Sequence, residues 1–293
     1  MIYHEIRLQV ITAWSERERD IQDCAKFMLR LTVEADEAGW DGVFLWDHLF
    51  FPWVTQIAEP WMVLAAASSL TKRVKLGTNV TPLPRRMPHN LAKQLSTLDH
   101  LSGGRVILGA GLGGTGEGGD AGPEFSGLGI ASDYRTLGGM VDEALEVITA
   151  LWSGGEVSFS GKHYKVENVT LQPAPVQKPR IPIWIGGSKM GALRRASKWD
   201  GWVPAGPAPS AGFQGLTLGD VDSKLKAIME RRTSESGFDV CYGLEWPDDT
   251  RGRRTLAEEA ESVGVTWLLE SVFGLKYSGE QALDRVREGP PAP

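Results

Sequence analysis

Asp47 and His48 stand side by side at the end of the apolar run Gly42-Val-Phe-Leu-Trp46. A carboxylate and an imidazole at the tip of a buried strand are costly unless solvent or a ligand meets them there. Histidine as a class titrates near neutrality, which makes His48 a candidate proton donor or acceptor. Asp47 is then a candidate for orienting a ligand or a proton-transfer partner. The competing reading is a helix-capping aspartate and a histidine bonded to a nearby carbonyl. A second candidate is Gly186-Gly187-Ser188, where an apolar run passes into a helical pattern. Glycines there let a phosphate meet backbone N–H groups at a helix N-terminus; the alternative is an ordinary turn with Ser188 as its cap. Thr78-Asn79-Val80 closes a third apolar run with polar residues, a place for a bulge. Arg85 and Arg86 follow and are candidates for holding an anionic group. Trp14, Trp46, Trp53, Trp184 and Trp246 offer aromatic walls for a planar heterocycle, and two of the five are expected to line a pocket.

Several chemistries lack their residues. No G-x-S-x-G elbow, G-x-x-x-x-G-K-[ST] loop or H-E-x-x-H pair occurs, and the five histidines are scattered, so no metal site is expected. Gly109-Ala-Gly-Leu-Gly-Gly114 departs from the dinucleotide fingerprint. A net charge of −6 argues against nonspecific nucleic-acid binding. No apolar run is long enough to span a membrane. Met1–Arg7 shows no basic segment followed by an apolar one, so no signal peptide is expected. Cys24 and Cys241 lie far apart and read as reduced thiols, which predicts a cytoplasmic protein.

The elements that must position these residues alternate. Apolar runs at 5–12, 42–48, 74–80, 105–111, 181–187, 201–206, 240–246 and 265–272 read as parallel strands covered on both faces. Helical patterns fill the gaps at 20–38, 60–70, 88–101, 135–152, 189–198, 220–234, 253–263 and 278–288. In the first, Ile21, Cys24, Phe27, Met28, Leu31 and Ala35 form one stripe, Asp20 is placed to cap the start and Gly39 ends it. Eight such alternations predict an α/β fold, a (β/α)8 TIM barrel, with its chemistry at the strand C-termini. Those termini include Gly109-Ala-Gly111, Gly206, Glu245-Trp246 and Glu270-Ser271. Residues 112–134 form a long glycine-rich loop after the fourth strand, and 156–172 read as a small hairpin inserted before the fifth. One domain over 1–288 is expected, with 289–293 as a flexible tail.

Taken in order, certain segments resemble the bacterial luciferase-like family of flavin- and deazaflavin-dependent oxidoreductases. They are Gly39-Trp-Asp-Gly-Val-Phe-Leu-Trp-Asp-His48, Leu76-Gly-Thr-Asn-Val80, Leu91 through Gly111, Glu143-Ala-Leu-Glu-Val-Ile148, Phe159-Ser-Gly-Lys-His-Tyr164, Pro182-Ile-Trp-Ile-Gly-Gly187 and Asp200-Gly-Trp202. The resemblance implies a barrel whose strand C-termini bind coenzyme F420 or FMN. It implies a non-prolyl cis peptide at Asn79-Val80 beneath the ring and a phosphate held by Gly186, Gly187 and Ser188. Thr78 and Gly111 join the implied cofactor site. Asp47 and His48 match the pair found near the ring in deazaflavin-using members, which favours F420 over FMN. The implied activity is hydride transfer between F420 and a small organic substrate, in a homodimer. A monooxygenase using reduced FMN and dioxygen, and a non-catalytic flavin-binding protein, are the alternatives. One departure stands out: where sugar-phosphate dehydrogenases of the family carry a glutamate, this chain has Gly114, with Glu117 or Glu124 as the available substitutes. Oxidation of a sugar phosphate is therefore not expected.

Overall fold

A computed structural model describes residues 7–13, 23–49, 57–113, 122–131, 133–204, 216–244, 247, 249–273 and 277–290. In chain order the strands are β1 (Arg7–Ala13), β2 (Gly42–Leu45), β3 (Lys75–Thr78), β4 (Thr81–Pro82), β5 (Val106–Gly111), β6 (Glu156–Ser160), β7 (Lys165–Thr170), β8 (Ile183–Gly186), β9 (Gly201–Val203), β10 (Asp239–Leu244) and β11 (Trp267–Phe273). The parallel pairings β1–β2, β2–β3, β3–β5, β5–β8, β8–β9, β9–β10, β10–β11 and β11–β1 close an eight-stranded ring. The expected barrel is therefore formed. β4 adds a short extra rung beside the end of β5. β6 and β7 make the antiparallel hairpin expected before the fifth barrel strand.

The helices are α1 (Cys24–Glu37), α2 (Pro60–Ser68), α3 (Pro88–Ser102), α4 (Pro123–Ser126), α5 (Tyr134–Leu151), α6 (Met190–Ala196), α7 (Leu218–Met229), α8 (Thr250–Ser262) and α9 (Gly279–Arg287). The start of α1 differs from the sequence expectation. Asp23, not Asp20, caps it, accepting the Lys26 N–H at 3.1 Å. Gly39 ends it with φ +94°, as its position after the last turn requires. Asp20 lies outside the described residues.

Among the described residues three apolar clusters form, two of which make up the barrel. The larger lies between strands and helices and contains Leu31, Leu64, Leu95, Leu145 and Ile148. The smaller fills the barrel and contains Phe44, Ile107, Trp184, Val203, Cys241, Trp267 and Leu269. Phe44 stacks on Trp184 at 5.2 Å, and Trp267 meets both edge-on. Glycines on neighbouring strands make the room. A Cβ on Gly77 would come within 2.8 Å of the Phe44 ring, and one on Gly201 within 2.8 Å of Trp184 Nε1. Trp46 and Val80, beyond the ends of β2 and β3, pack against this aromatic plug.

Candidate active site

β2 delivers Trp46, Asp47 and His48 to the rim, and neighbouring β3 delivers Asn79 and Val80. Trp46 and Val80 both pack on the inner aromatic cluster. Trp46 also meets the His48 ring edge-on at 5.7 Å. The Asn79–Val80 peptide is cis, as the resemblance implied. The Val80 side chain fills a hollow that only glycines leave open. A Cβ on Gly111 would lie 2.5 Å from Val80 Cγ2, and one on Gly186 2.9 Å from Cγ1. Thr78 sits beneath this bulge, fully buried, its hydroxyl 2.8 Å from that of Thr81.

His48 is one member of a chain of polar contacts. Its Nδ1 lies 2.8 Å from Glu124 Oε2, and its side chain remains 19% exposed. Glu124, 4% exposed, also accepts the Leu49 N–H and, at 3.2 Å, Arg85 Nη1. Arg85 turns its other Nη to the Asp47 carbonyl. Arg86 grips the Asp47 carboxylate with Nε and Nη2, both at 2.8 Å, and reaches Glu59 at 2.6 Å. Burial by itself would raise the Glu124 carboxyl. The hydrogen bond to His48 and, when that ring is protonated, its charge, then the Arg85 charge and the Leu49 N–H, outweigh it and hold Glu124 below the ordinary carboxylate range. Burial lowers Arg85 despite Asp47 and Glu124, whereas Asp47 and Glu59 overcome burial and raise Arg86.

Glu124 reaches His48 because α4 is pinned from below. Phe125 is fully buried against Leu137, and a Cβ on Gly113 would sit 2.6 Å from its ring. The Arg85 guanidinium lies 5.8 Å over the same ring.

The sequence-derived candidates thus separate. Asp47, His48, Asn79 and Val80 meet on adjoining strand ends, joined by Gly111 and Gly186 through Val80. Asp47 is 2% exposed with its carboxylate taken by Arg86, a clamp on the rim. Arg85 and Arg86 are committed to rim carboxylates and do not present themselves to an outside anion. Gly187 opens the turn into α6 with φ +121°, and its N–H is donated to the Val203 carbonyl at 3.0 Å. Ser188 follows, half-buried. Trp184 belongs to the plug, and Glu270 pairs with Arg285 beneath α9 at 3.1 Å. Trp14, Trp53, Gly114, Glu117, Gly206, Glu245 and Trp246 lie outside the described residues. Among the described residues no group of three or more His, Cys, Asp or Glu is arranged to hold a metal ion, and no helix is long and apolar enough to cross a membrane.

The sequence pattern of the luciferase-like monooxygenase family matches residues 7–217. The chain belongs to that family. Over 189 residues, 61% of its length, this luciferase-like chain is 36% identical to an F420-dependent glucose-6-phosphate dehydrogenase of Nakamurella multipartita. The match spans about half of that relative, 52%. The fold of monooxygenase RslO1 from Streptomyces bottropensis superimposes with a TM-score of 0.74 at 20% identity, covering 96% of this chain and 97% of that one. An F420-dependent secondary alcohol dehydrogenase in complex with an F420–acetone adduct gives 0.74 at 18% identity, covering 98% of each chain. Identities this low speak for the fold and leave chemistry to the site.

Proposed function

We propose that this luciferase-like chain is a redox enzyme that exchanges hydride between coenzyme F420 and a small organic substrate. The observation that carries the reading is His48. It is a partly exposed imidazole on the barrel rim, bonded to a buried carboxylate and set beside the Asn79–Val80 bulge. A deazaflavin supplies two-electron hydride chemistry, and each hydride needs a matching proton. His48 is the residue to supply or remove it. Asp47 acts one step back, by tying the His48 loop to Arg85 and Arg86.

The rim suits a flat heterocycle. Val80, backed by Gly109, Gly111 and Gly186, offers methyl groups and backbone as a floor. The indole of Trp46 and the half-buried Asn79 complete that side. The anionic tail belongs at the Gly186-Gly187-Ser188 turn. Gly187 spends its N–H on Val203, so the tail would be met by the first turn of α6. The 36% identity to an F420-dependent enzyme supports F420 over FMN.

Titration of the purified protein with F420 and with FMN, followed by fluorescence, tests the reading. F420 binding well ahead of FMN is expected. Micromolar affinity for FMN without F420 binding would replace it with a flavin monooxygenase. A tightly held cofactor that never turns over with any acceptor would leave a binding protein.

A further inference from the structure

Both carboxylate oxygens of Glu124 meet donors, and Arg85 pairs with its charge. Its Oε1 accepts the Leu49 N–H and Arg85 Nη1, and its Oε2 faces His48 Nδ1 at 2.8 Å. An ionised carboxylate has no hydrogen to give. The hydrogen between Glu124 and the imidazole therefore sits on Nδ1, and neutral His48 carries its lone pair on Nε2. The bond made by one ring nitrogen decides the protonation of the other. Among the described residues, groups from separate elements face this pair: Arg85 from the turn before α3, Asp47 from the β2 end, and the Trp46 ring at 5.7 Å.

We infer that Glu124, steered by Arg85, is a positioning residue that fixes His48 as the Nδ1–H tautomer and makes Nε2 the nitrogen that exchanges the proton with substrate. A substrate X–H bond breaks as its proton joins Nε2 and its electron pair stays on X, and the imidazolium so formed keeps its positive charge against Glu124. The reverse step returns the same proton from Nε2. The role differs from that of the glutamate which the family resemblance puts just after the strand that ends at Gly111, a position this chain gives to Gly114. Glu124 arrives from α4, and it acts through His48 without meeting the substrate. The inference rests on the redox reading above for its consequence, while its geometry stands without any cofactor.

The test uses 15N-histidine-labelled full-length protein without cofactor, at a pH where imidazoles are neutral. His48 is assigned by the signal lost in His48→Gln. The expected spectrum shows a protonated Nδ1 and an unprotonated Nε2 in the wild type, and loss of that preference in Glu124→Ala. A wild-type His48 protonated on Nε2, or a tautomer unmoved by Glu124→Ala, overturns the inference. In protein loaded with F420, Glu124→Ala is expected to slow single-turnover hydride transfer about 10- to 100-fold, as loss of an orienting partner does, with cofactor affinity kept within about twofold. Glu124→Asp should recover part of the rate. If Glu124→Ala fails to fold, the wild-type spectrum alone decides. The expected tautomer in a protein that binds no F420 would sink the redox reading and leave the positioning role intact.

Discussion

Replacing Asp47 with alanine isolates the clamp beneath the rim. The carboxylate is 2% exposed and takes two N–H groups of Arg86 at 2.8 Å each, with Arg85 Nη2 on the carbonyl of the same residue. Removing one partner of a buried ion pair costs about 3–5 kcal/mol, because the other charge is left buried and unmatched. Arg86 keeps Glu59 at 2.6 Å and Arg85 keeps Glu124 at 3.2 Å, so each stranded cation retains one carboxylate. That places Asp47→Ala near the lower end, about 3 kcal/mol. Urea unfolding of Asp47→Ala, Arg86→Ala and the double variant gives the coupling directly. A pair in contact within one network should return at least about 1.5 kcal/mol of non-additivity. If Asp47→Ala costs under about 1 kcal/mol, the level of a surface pair, and the two changes simply add, the clamp does not exist as described.

Three more tests reach other parts of the chain. Gly109→Ala would drive a Cβ into the Thr78 carbonyl oxygen and to 3.3 Å of Val80 Cγ1, so a loss of at least about 1–3 kcal/mol is expected in urea unfolding; wild-type stability would show that the Val80 bulge is not packed as described. Gly187→Val asks for a side chain at φ +121° with Ala192 Cβ only 2.9 Å away, so cofactor affinity should fall at least tenfold in a protein that still folds; unchanged affinity would move the tail site elsewhere. Asp36 takes the backbone N–H groups of Val74, Lys72 and Arg73 at 2.8–2.9 Å. Burial would raise its carboxyl, but those bonds, then the Arg105 charge, outweigh it and hold it below the usual range. A carboxyl depressed in the folded state stabilises above its unfolded value near 4 and loses that contribution as pH falls through the folded value. The gap between wild type and Asp36→Asn should thus be about 1–3 kcal/mol at neutral pH and shrink below about pH 4; a gap of constant size would contradict this.

The barrel was legible because its strands are covered on both faces and therefore read as unbroken apolar runs, each followed by a helical stripe. The hairpin was legible from its alternation about Gly161-Lys162. The rim was only half legible. Asp47 and His48 show themselves because ionisable residues end a buried run. Their partners do not, since Glu124 lies 76 residues from His48 in sequence. Arg85 and Arg86 look alike as bare cations, and only the fold shows that their charges are already matched by Asp47, Glu124 and Glu59. Trp184 could not be separated from rim tryptophans by residue type. The signal was in register, where β8 sets it between Gly109 and Gly201, small residues that leave an aromatic ring room inside the barrel.

The measurement closest to the central claim is a comparison of wild type and His48→Ala, taking F420 affinity by fluorescence and hydride transfer by single-turnover absorbance. Near-equal affinity is expected, with a transfer rate about 100- to 10,000-fold slower in the variant, the usual range for losing a general acid–base group. Equal transfer rates in the two proteins would contradict the account.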